Sequence, residues 1–383
     1  MPRIGLASVA TALVLAGCTP PPQGLGLFSS GRDRTRRSIY RVEWRVQVQP
    51  DTVEDPPVNL QLERWAPLES SGPLLLASAR EVVVGSTSGR VSAYSLLGKP
   101  LWHFQTEGPI AESPTVSGVN LYAASADGRV YALDPTTGRE RWRFDLGEEP
   151  ASSPISSADK LFIATHQGSL FALDAATGKR LWHYRREERQ EFTLRRVAAP
   201  RADGPFVIAG FADGTTVALK IENGELAWEH SSKAGEQLVD ADATQLGNGR
   251  VFVATFRDGI LALDRATGEE VWRKPFPAAT GLLFRDGILF ASAVGKLSAM
   301  SPIDGSVLWE KGLGDRTPGT LSIDGSLLVV PTSTDLLFLD DRSGREIGAA
   351  FNPGRGIEAP PAASGRELYV LSNAGWLYAL RLL

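Results

Sequence analysis

The stretch Gly128-Arg129-Val130-Tyr131-Ala132-Leu133-Asp134-Pro135-Thr136-Thr137-Gly138-Arg139-Glu140-Arg141-Trp142 returns forty residues later as Gly168-Ser169-Leu170-Phe171-Ala172-Leu173-Asp174-Ala175-Ala176-Thr177-Gly178-Lys179-Arg180-Leu181-Trp182. Looser copies begin at Gly89, Gly214, Gly259 and Gly295. A degenerate copy starts at Asp335, with Leu337, Leu339 and Gly344, and a last one starts at Gly375 and stops at Leu383. The eight starts are spaced 39, 40, 46, 45, 36, 40 and 40 residues apart. A period of this size signals a repeat architecture, which overrides counting domains from chain length.

Within one repeat, Asn120–Ser125 and Arg129–Leu133 are short apolar and aromatic runs flanking Asp127-Gly128. Asp-Gly supplies the positive φ that a tight hairpin needs. Thr137-Gly138 makes the next turn before the Trp strand, and a fourth strand lies near Pro114-Thr115-Val116. Four antiparallel strands per forty residues, with no helical period, predict one propeller blade. One blade cannot bury both its faces, but a ring of blades can. The Trp residues at matching offsets are Trp102, Trp142, Trp182, Trp228, Trp272 and Trp309, with Gly348 at the seventh position. Packing between neighbouring blades is the simplest role for them; stacking on a ligand is the alternative.

After Gly375 only eight residues remain, too few for a Trp strand. Ile39-Tyr40-Arg41-Val42-Glu43-Trp44-Arg45-Val46 has the character of that missing strand. The expected fold is therefore all-β: an eight-bladed β-propeller of four-stranded antiparallel blades, spanning 38–383 and closed by an N-terminal strand.

The first residues read as an address. Basic Met1-Pro2-Arg3 precedes an uncharged, mostly apolar run from Ile4 to Ala16. That run is too short for a bilayer-spanning helix and fits a signal peptide. Its end, Leu15-Ala16-Gly17-Cys18, resembles the lipobox of bacterial lipoproteins. The resemblance implies lipidation of Cys18, the only cysteine, and removal of 1–17. A plain secretory signal with a coincidental cysteine is the alternative. Thr19, rather than Asp, after the cysteine implies the outer membrane. Residues 18–37 are rich in Pro, Gly, Ser and Arg and read as a tether. Arg32, Arg34, Arg36 and Arg37 either rest on anionic headgroups or are simply solvated.

Composition narrows the function classes. The net charge of −4 marks no nucleic-acid binder. A single cysteine excludes an internal disulfide and a cysteine-based zinc site. No nucleophile elbow, zincin helix or phosphate loop is present. Two adjacent repeats are long. The usual gap from Trp to the Pro of the next inner strand is 12 residues, as from Trp102 to Pro114. It is 18 from Trp182 to Pro200 and about 17 from Trp228 to Gln245. Both extensions fall where a blade's outer strand leads to the next blade's inner strand, so they lie side by side on one face. Grouped insertions on one face are where repeat proteins bind.

The Gly-x-Leu/Val-x-Ala-Leu-Asp-x-x-Thr-Gly-x-x-x-Trp pattern resembles the PQQ-like propeller repeat. Two families carry eight such blades: the quinoprotein dehydrogenases and the BamB family of the outer-membrane β-barrel assembly machinery. The first would imply a PQQ-dependent enzyme with Ca²⁺ and often a vicinal disulfide, which a single cysteine cannot form. Seven Asp residues, Asp127, Asp213 and Asp258 among them, also sit in Asp-Gly turns. The second is favoured by the insertions themselves. Phe192-Thr193-Leu194-Arg195-Arg196-Val197-Ala198-Ala199-Pro200 is similar to the BamB family's Leu-Thr-Leu-Arg-Gly-x-Ser-Ala-Pro segment. Val239-Asp240-Ala241-Asp242-Ala243-Thr244 is similar to its Ser-Asp-Val-Asp-Thr-Thr segment. The resemblance implies that Phe192, Leu194, Arg195, Asp240 and Asp242 meet the periplasmic POTRA region of BamA. Phe192 and Arg196 depart from the family's Leu and Gly and leave the exact partner surface open. The alternative is that Arg195 and the two Asp residues pair to hold the loops together.

The implied protein is a non-enzymatic, periplasm-facing lipoprotein held at the outer membrane by its lipid. It would be monomeric within a hetero-complex and would have unfolded outer-membrane proteins as further clients. No catalytic, cofactor-binding or metal-ligating residues are expected.

Overall fold

The computed structural model describes residues 37–48, 71–76, 80–186, 198–231, 241–255 and 257–383. The expected signal peptide, the expected tether up to Arg36 and most of both insertions lie outside them.

The described strands form eight antiparallel sheets. Blade 2 shows the plan: Thr115–Ser117, Asn120–Ser125, Arg129–Leu133 and Glu140–Asp145 pair in sequence order. The second strand is wholly buried and the third nearly so, whereas the outer strand alternates exposed and half-buried residues. This is why the middle strands read as continuous apolar runs and the Trp strand does not. Inner strands of blades 2 to 6 touch in succession, that of blade 1, Leu74–Leu76, touches that of blade 8, Ala362–Ser364, and buried clusters join the remaining neighbours, so the ring is closed.

The core follows the same logic. Eight separate buried clusters exist, one at each junction between blades. Phe162, Leu170 and Trp182 of blade 3, for example, pack on Val207, Phe211 and Val217 of blade 4. No blade holds a core of its own.

A β-bulge recurs between the third and outer strands. In blade 2, Ala132 faces Trp142 and Leu133 faces Glu140, so Arg141 is the extra residue. Bulges re-aim the bulged strand, and here each sends an indole across to the next blade. Trp102 lies against Gly138, Trp142 against Gly178, Trp182 against Gly224, Trp228 against Gly268, Trp272 against Gly305 and Trp309 against Gly344. The glycine is obligatory. Gly138 has a φ of 69°, and a Cβ there would sit 2.3 Å from the Trp102 ring. Most indole Nε1 groups also donate to a carbonyl of the receiving turn. Trp182 donates to Ile221 O at 3.0 Å and Trp228 to Arg265 O at 2.9 Å. The Trp residues are interblade locks.

Blade 8 is closed by the N-terminal strand, as its sequence suggests. Tyr40–Gln47 pairs antiparallel with Trp376–Leu382, in the order outer, third, second, inner. Trp44 then locks onto blade 1: its ring lies against Gly98 and its Nε1 donates to Leu96 O at 2.8 Å. Blade 7 differs from the expected four strands. Three strands pair fully, and the fourth position is held by two isolated bridges, Leu339 to Glu346 and Leu336 to Phe351.

Up-and-down blades give the ring two distinct faces. The Thr-Gly turns and their locks lie on one, here called the lock face. The Asp-Gly turns and the connections between blades lie on the other, the loop face.

Candidate functional site: the base of two insertions

Both insertions arise on the loop face at blades 3 to 5. Phe192, Leu194, Arg195 and Asp240 lie outside the described residues, as does Cys18. Asp242 belongs to the inner strand Ala241–Gly247 of blade 5, and its side chain is likewise outside. The structure instead defines the stems from which the loops spring.

The first stem begins at Arg186. Its guanidinium is pinned between two carboxylates of blade 4, with Nε 2.6 Å from Asp213 and Nη1 3.1 Å from Glu229. Asp213 sits in an Asp-Gly turn and accepts from Thr215 N, so the turn that shapes the hairpin also anchors the departing chain. The loop returns at Ala198, which is buried, and enters the inner strand Arg201–Asp203.

Arg201 connects the two insertions. Its Nε donates to Thr244 O at 3.2 Å, at the root of the second insertion, and burial lowers the guanidinium's hold on its proton. The same repeat position in blade 2 is Thr115, which donates to Pro154 O at 2.6 Å. In blade 5 it is Gln245, which donates to Leu282 O at 3.1 Å. In these three blades a donor side chain just after the Pro-equivalent position clips one inner strand to the next, and blade 4 uses the longest donor.

The second stem leaves blade 4 at His230-Ser231. His230 is half-buried, 3.9 Å from Glu270, and burial pushes its pKa down against that carboxylate's pull. Arg273 holds Glu270 at 2.6 Å and Asp258 at 3.0 Å. His230 thus sits beside a Glu270–Arg273–Asp258 ion-pair group at the base of the second stem. Among the described residues no group of three or more His, Cys, Asp or Glu is placed to hold a metal ion.

The register also corrects the size of the second insertion. Gln245 pairs with Phe252 as Thr115 pairs with Tyr122, so the equivalent of Pro114 is Thr244 and not Gln245. The connection is therefore four residues longer than usual; the hairpin that follows has the ordinary length, Thr255 pairing with Gly259 as Ser125 pairs with Arg129, and its glycine stands one place later in the turn. Residue spacing alone missed the stem network. Aligning the repeats at the position after Pro114, Pro154 and Pro200 would have exposed Arg201 as the odd member.

Known proteins are similar along most of this ring. The family model described as outer membrane protein assembly factor BamB matches residues 87–292 and 236–379. BamB of Legionella pneumophila is 29% identical over 199 residues, covering 49% of this chain and 51% of that protein. BamB of Burkholderia pseudomallei is 26% identical over 318 residues, covering 78% and 70%. The matched stretch thus spans about half the length of the Legionella relative. The crystal structure of BamB from Moraxella catarrhalis superposes with a TM-score of 0.71 at 21% identity, covering 90% of this chain and 98% of that one. The quinohemoprotein alcohol dehydrogenase of Comamonas testosteroni reaches the same TM-score of 0.71 at 14% identity, covering 90% and 76%. Fold alone does not choose between an assembly factor and an enzyme. The family model does, because its two matches together run from residue 87 to 379, well over half of the chain: this chain belongs to the BamB family of outer membrane protein assembly factors.

Proposed function

We propose that this protein is a non-enzymatic scaffold of outer-membrane protein assembly. Lipidated at Cys18, it faces the periplasm from the outer membrane and docks on the POTRA region of BamA through its paired insertions. The observation that carries this is the family match over residues 87–379, which includes both long connections. The stem geometry supports it. Arg186 and Arg201 fix the roots of two neighbouring loops on rigid blades, and preorganised roots lower the ordering cost of binding. In this reading Leu194 and Phe192 supply buried apolar area, Arg195 a charged anchor, and Asp240 and Asp242 the adjoining rim. Unfolded outer-membrane proteins are the clients the assembly serves. The domains implied are a signal peptide at 1–17, a lipidated tether at 18–37 and the propeller from 38.

The test is a binding isotherm to purified BamA paired with a thermal melt. Leu194→Ala with Arg195→Glu is expected to weaken binding at least about a hundredfold, the range of two hot-spot residues, with the melt unchanged. Full affinity in the double variant removes these loops as the docking site.

A further inference from the structure

The two faces of the ring differ in what they leave exposed. Some exposed apolar residues have a local cause: Leu101, Leu181, Val271 and Leu308 are the extra residues of the outer-strand bulges. The most exposed large apolar side chains have no such cause. Leu97 is 86% exposed, Leu383 74% and Ile303 70%, and they occupy turns or a strand end on the lock face of blades 1, 8 and 6. On the loop face, the exposed large apolar residue among those described is Val294.

Between Ile303 and Leu97, the quadrant of blades 7 and 8 that holds Leu383 is basic at its surface. Arg37, Arg345, Arg366 and Arg381 are exposed; Arg345 acts electrostatically on Asp340, and none of the other three has an ion pair among the described residues. The neighbouring acids are engaged. Asp340 accepts from Ser343, Glu346 pairs with Lys311 at 2.9 Å, and Glu367 accepts from the Tyr369 hydroxyl at 2.6 Å. The N-terminal chain also leaves from here. Ala349 N donates to Arg37 O, Leu383 N to Ile39 O and Leu382 N to Arg366 O.

We propose that this quadrant of the lock face, centred on Leu383 and Arg381, is a membrane-contact patch that rests on an anionic lipid surface, with the loop face turned away. The proposal rests on the lipidation of Cys18. Nineteen residues run from Cys18 to Arg36. As a flexible chain they average about 25 Å end to end and reach about 65 Å at most. A short tether holds its cargo at millimolar effective concentration, so a weak patch suffices to orient the ring. Exposed apolar tips enter the headgroup boundary while unpaired arginines meet phosphates, the combination that surface-bound proteins use. The paired insertions arise on the opposite face and about half a turn around the ring from blade 8. The anchor and the docking loops therefore do not compete.

The lipidated full chain has one native thiol, taken by the lipid, so an introduced cysteine can be labelled alone. Leu383→Cys and, as the opposite-face control, Val294→Cys each receive a fluorescent label. Both are reconstituted on phosphatidylethanolamine–phosphatidylglycerol vesicles carrying a spin-labelled lipid quencher. Quenching is expected to be severalfold stronger at position 383 than at 294. It should fall to the control level on phosphatidylcholine vesicles and in the Arg366→Glu, Arg381→Glu variant. Equal quenching at both positions, or stronger quenching at 294, overturns the patch and leaves the anchor standing. A chain that does not float with the vesicles overturns the anchor and the patch together.

Discussion

Seven junctions of the ring carry a tryptophan lock, and the junction between blades 7 and 8 does not. At the seven, an indole from one outer strand covers a turn glycine of the next blade. At the eighth, Gly348 stands where the Trp belongs, and a Cβ on it would meet Ile39 at 2.6 Å. The reason is topological. A lock needs a turn between the third and outer strands of the receiving blade. In blade 8 the chain is interrupted there: the third strand ends near Leu382 and the outer strand arrives from the N-terminus. No turn glycine exists to accept an indole. Gly348 makes room for the incoming strand, and aromatic rings fill the gap. Tyr40 lies 5.5 Å from both Phe338 and Phe351, and Phe351 lies 5.0 Å from Tyr378. The repeat is thus enforced by packing between neighbours, and it lapses where no sequence neighbour exists.

The comparison is broken most directly by removing the closing strand. Deleting 38–48 takes away the outer strand of blade 8, the Trp44 lock and the Tyr40 plug at once. Loss of one buried Trp costs about 3–5 kcal/mol, and whole domains are stable by about 5–15 kcal/mol. The deletion is therefore expected to leave most of the protein unfolded at 25 °C, whereas deleting 19–36 leaves the urea midpoint unchanged. A synthetic peptide spanning 38–48 should restore folding when added in trans. Matching midpoints for the two deletions would show that the ring does not depend on this strand.

The locks themselves differ in one atom. Trp182 Nε1 donates to Ile221 O, but Trp142 Nε1 has no acceptor among the described residues. The equivalent carbonyl, Ala175 O, already accepts from Tyr122 Oη at 2.6 Å and Asn120 Nδ2 at 3.0 Å. Replacing either Trp by Phe removes similar apolar area, yet only Trp182→Phe also removes a hydrogen bond, a term of about 1 kcal/mol. Trp182→Phe is expected to be the more destabilising by about that amount in parallel urea titrations. Equal losses would mean that the indole acts by packing alone.

How far the sequence carried follows from these same residues. The ring, its eight blades and the distant closing strand were legible because each repeat must present the same glycine, bulge and indole to its neighbour, which leaves a period in the chain. The three-stranded blade 7 was half legible: Gly348 flagged it, but not why it had to be small. The Arg186, Arg201 and His230 stems were not legible from motifs. Their partners, Asp213 with Glu229, Thr244 O and Glu270, come from other strands and neighbouring blades, and only pairing register brings them together. The docking residues rest on segment similarity, because loops escape the repeat constraint that makes the blades readable.

The smallest expected effect concerns the turns that receive the locks. In blade 2, Asp134 accepts from the amides of Thr136 and Thr137 at 3.0 and 2.9 Å and bonds Arg141. The Arg141 guanidinium first, and then the turn donors, hold its carboxyl down to about 2. Asp174 and Asp340 are lowered by hydroxyls of their own turns, Thr177 and Ser343, and Asp264 chiefly by the turn amides of Thr267 and Ala266. An unfolded Asp titrates near about 3.9. As pH falls below that value the unfolded chain takes up the proton first, so the folded state loses stability. The contribution is complete above about pH 4 and is lost as pH falls through the folded value near 2. An exposed charge pair of this kind is worth about 0.2–1 kcal/mol, so Asp134→Asn should lower Tm at neutral pH by no more than about 1–4 °C. The same variant should flatten the decline between about pH 4 and 2, because one of the titrating carboxylates is gone. Thermal melts of both proteins across that range decide it. A parallel acid decline in the two would show that the Asp134 carboxylate does not stabilise the turn on which the Trp102 lock closes.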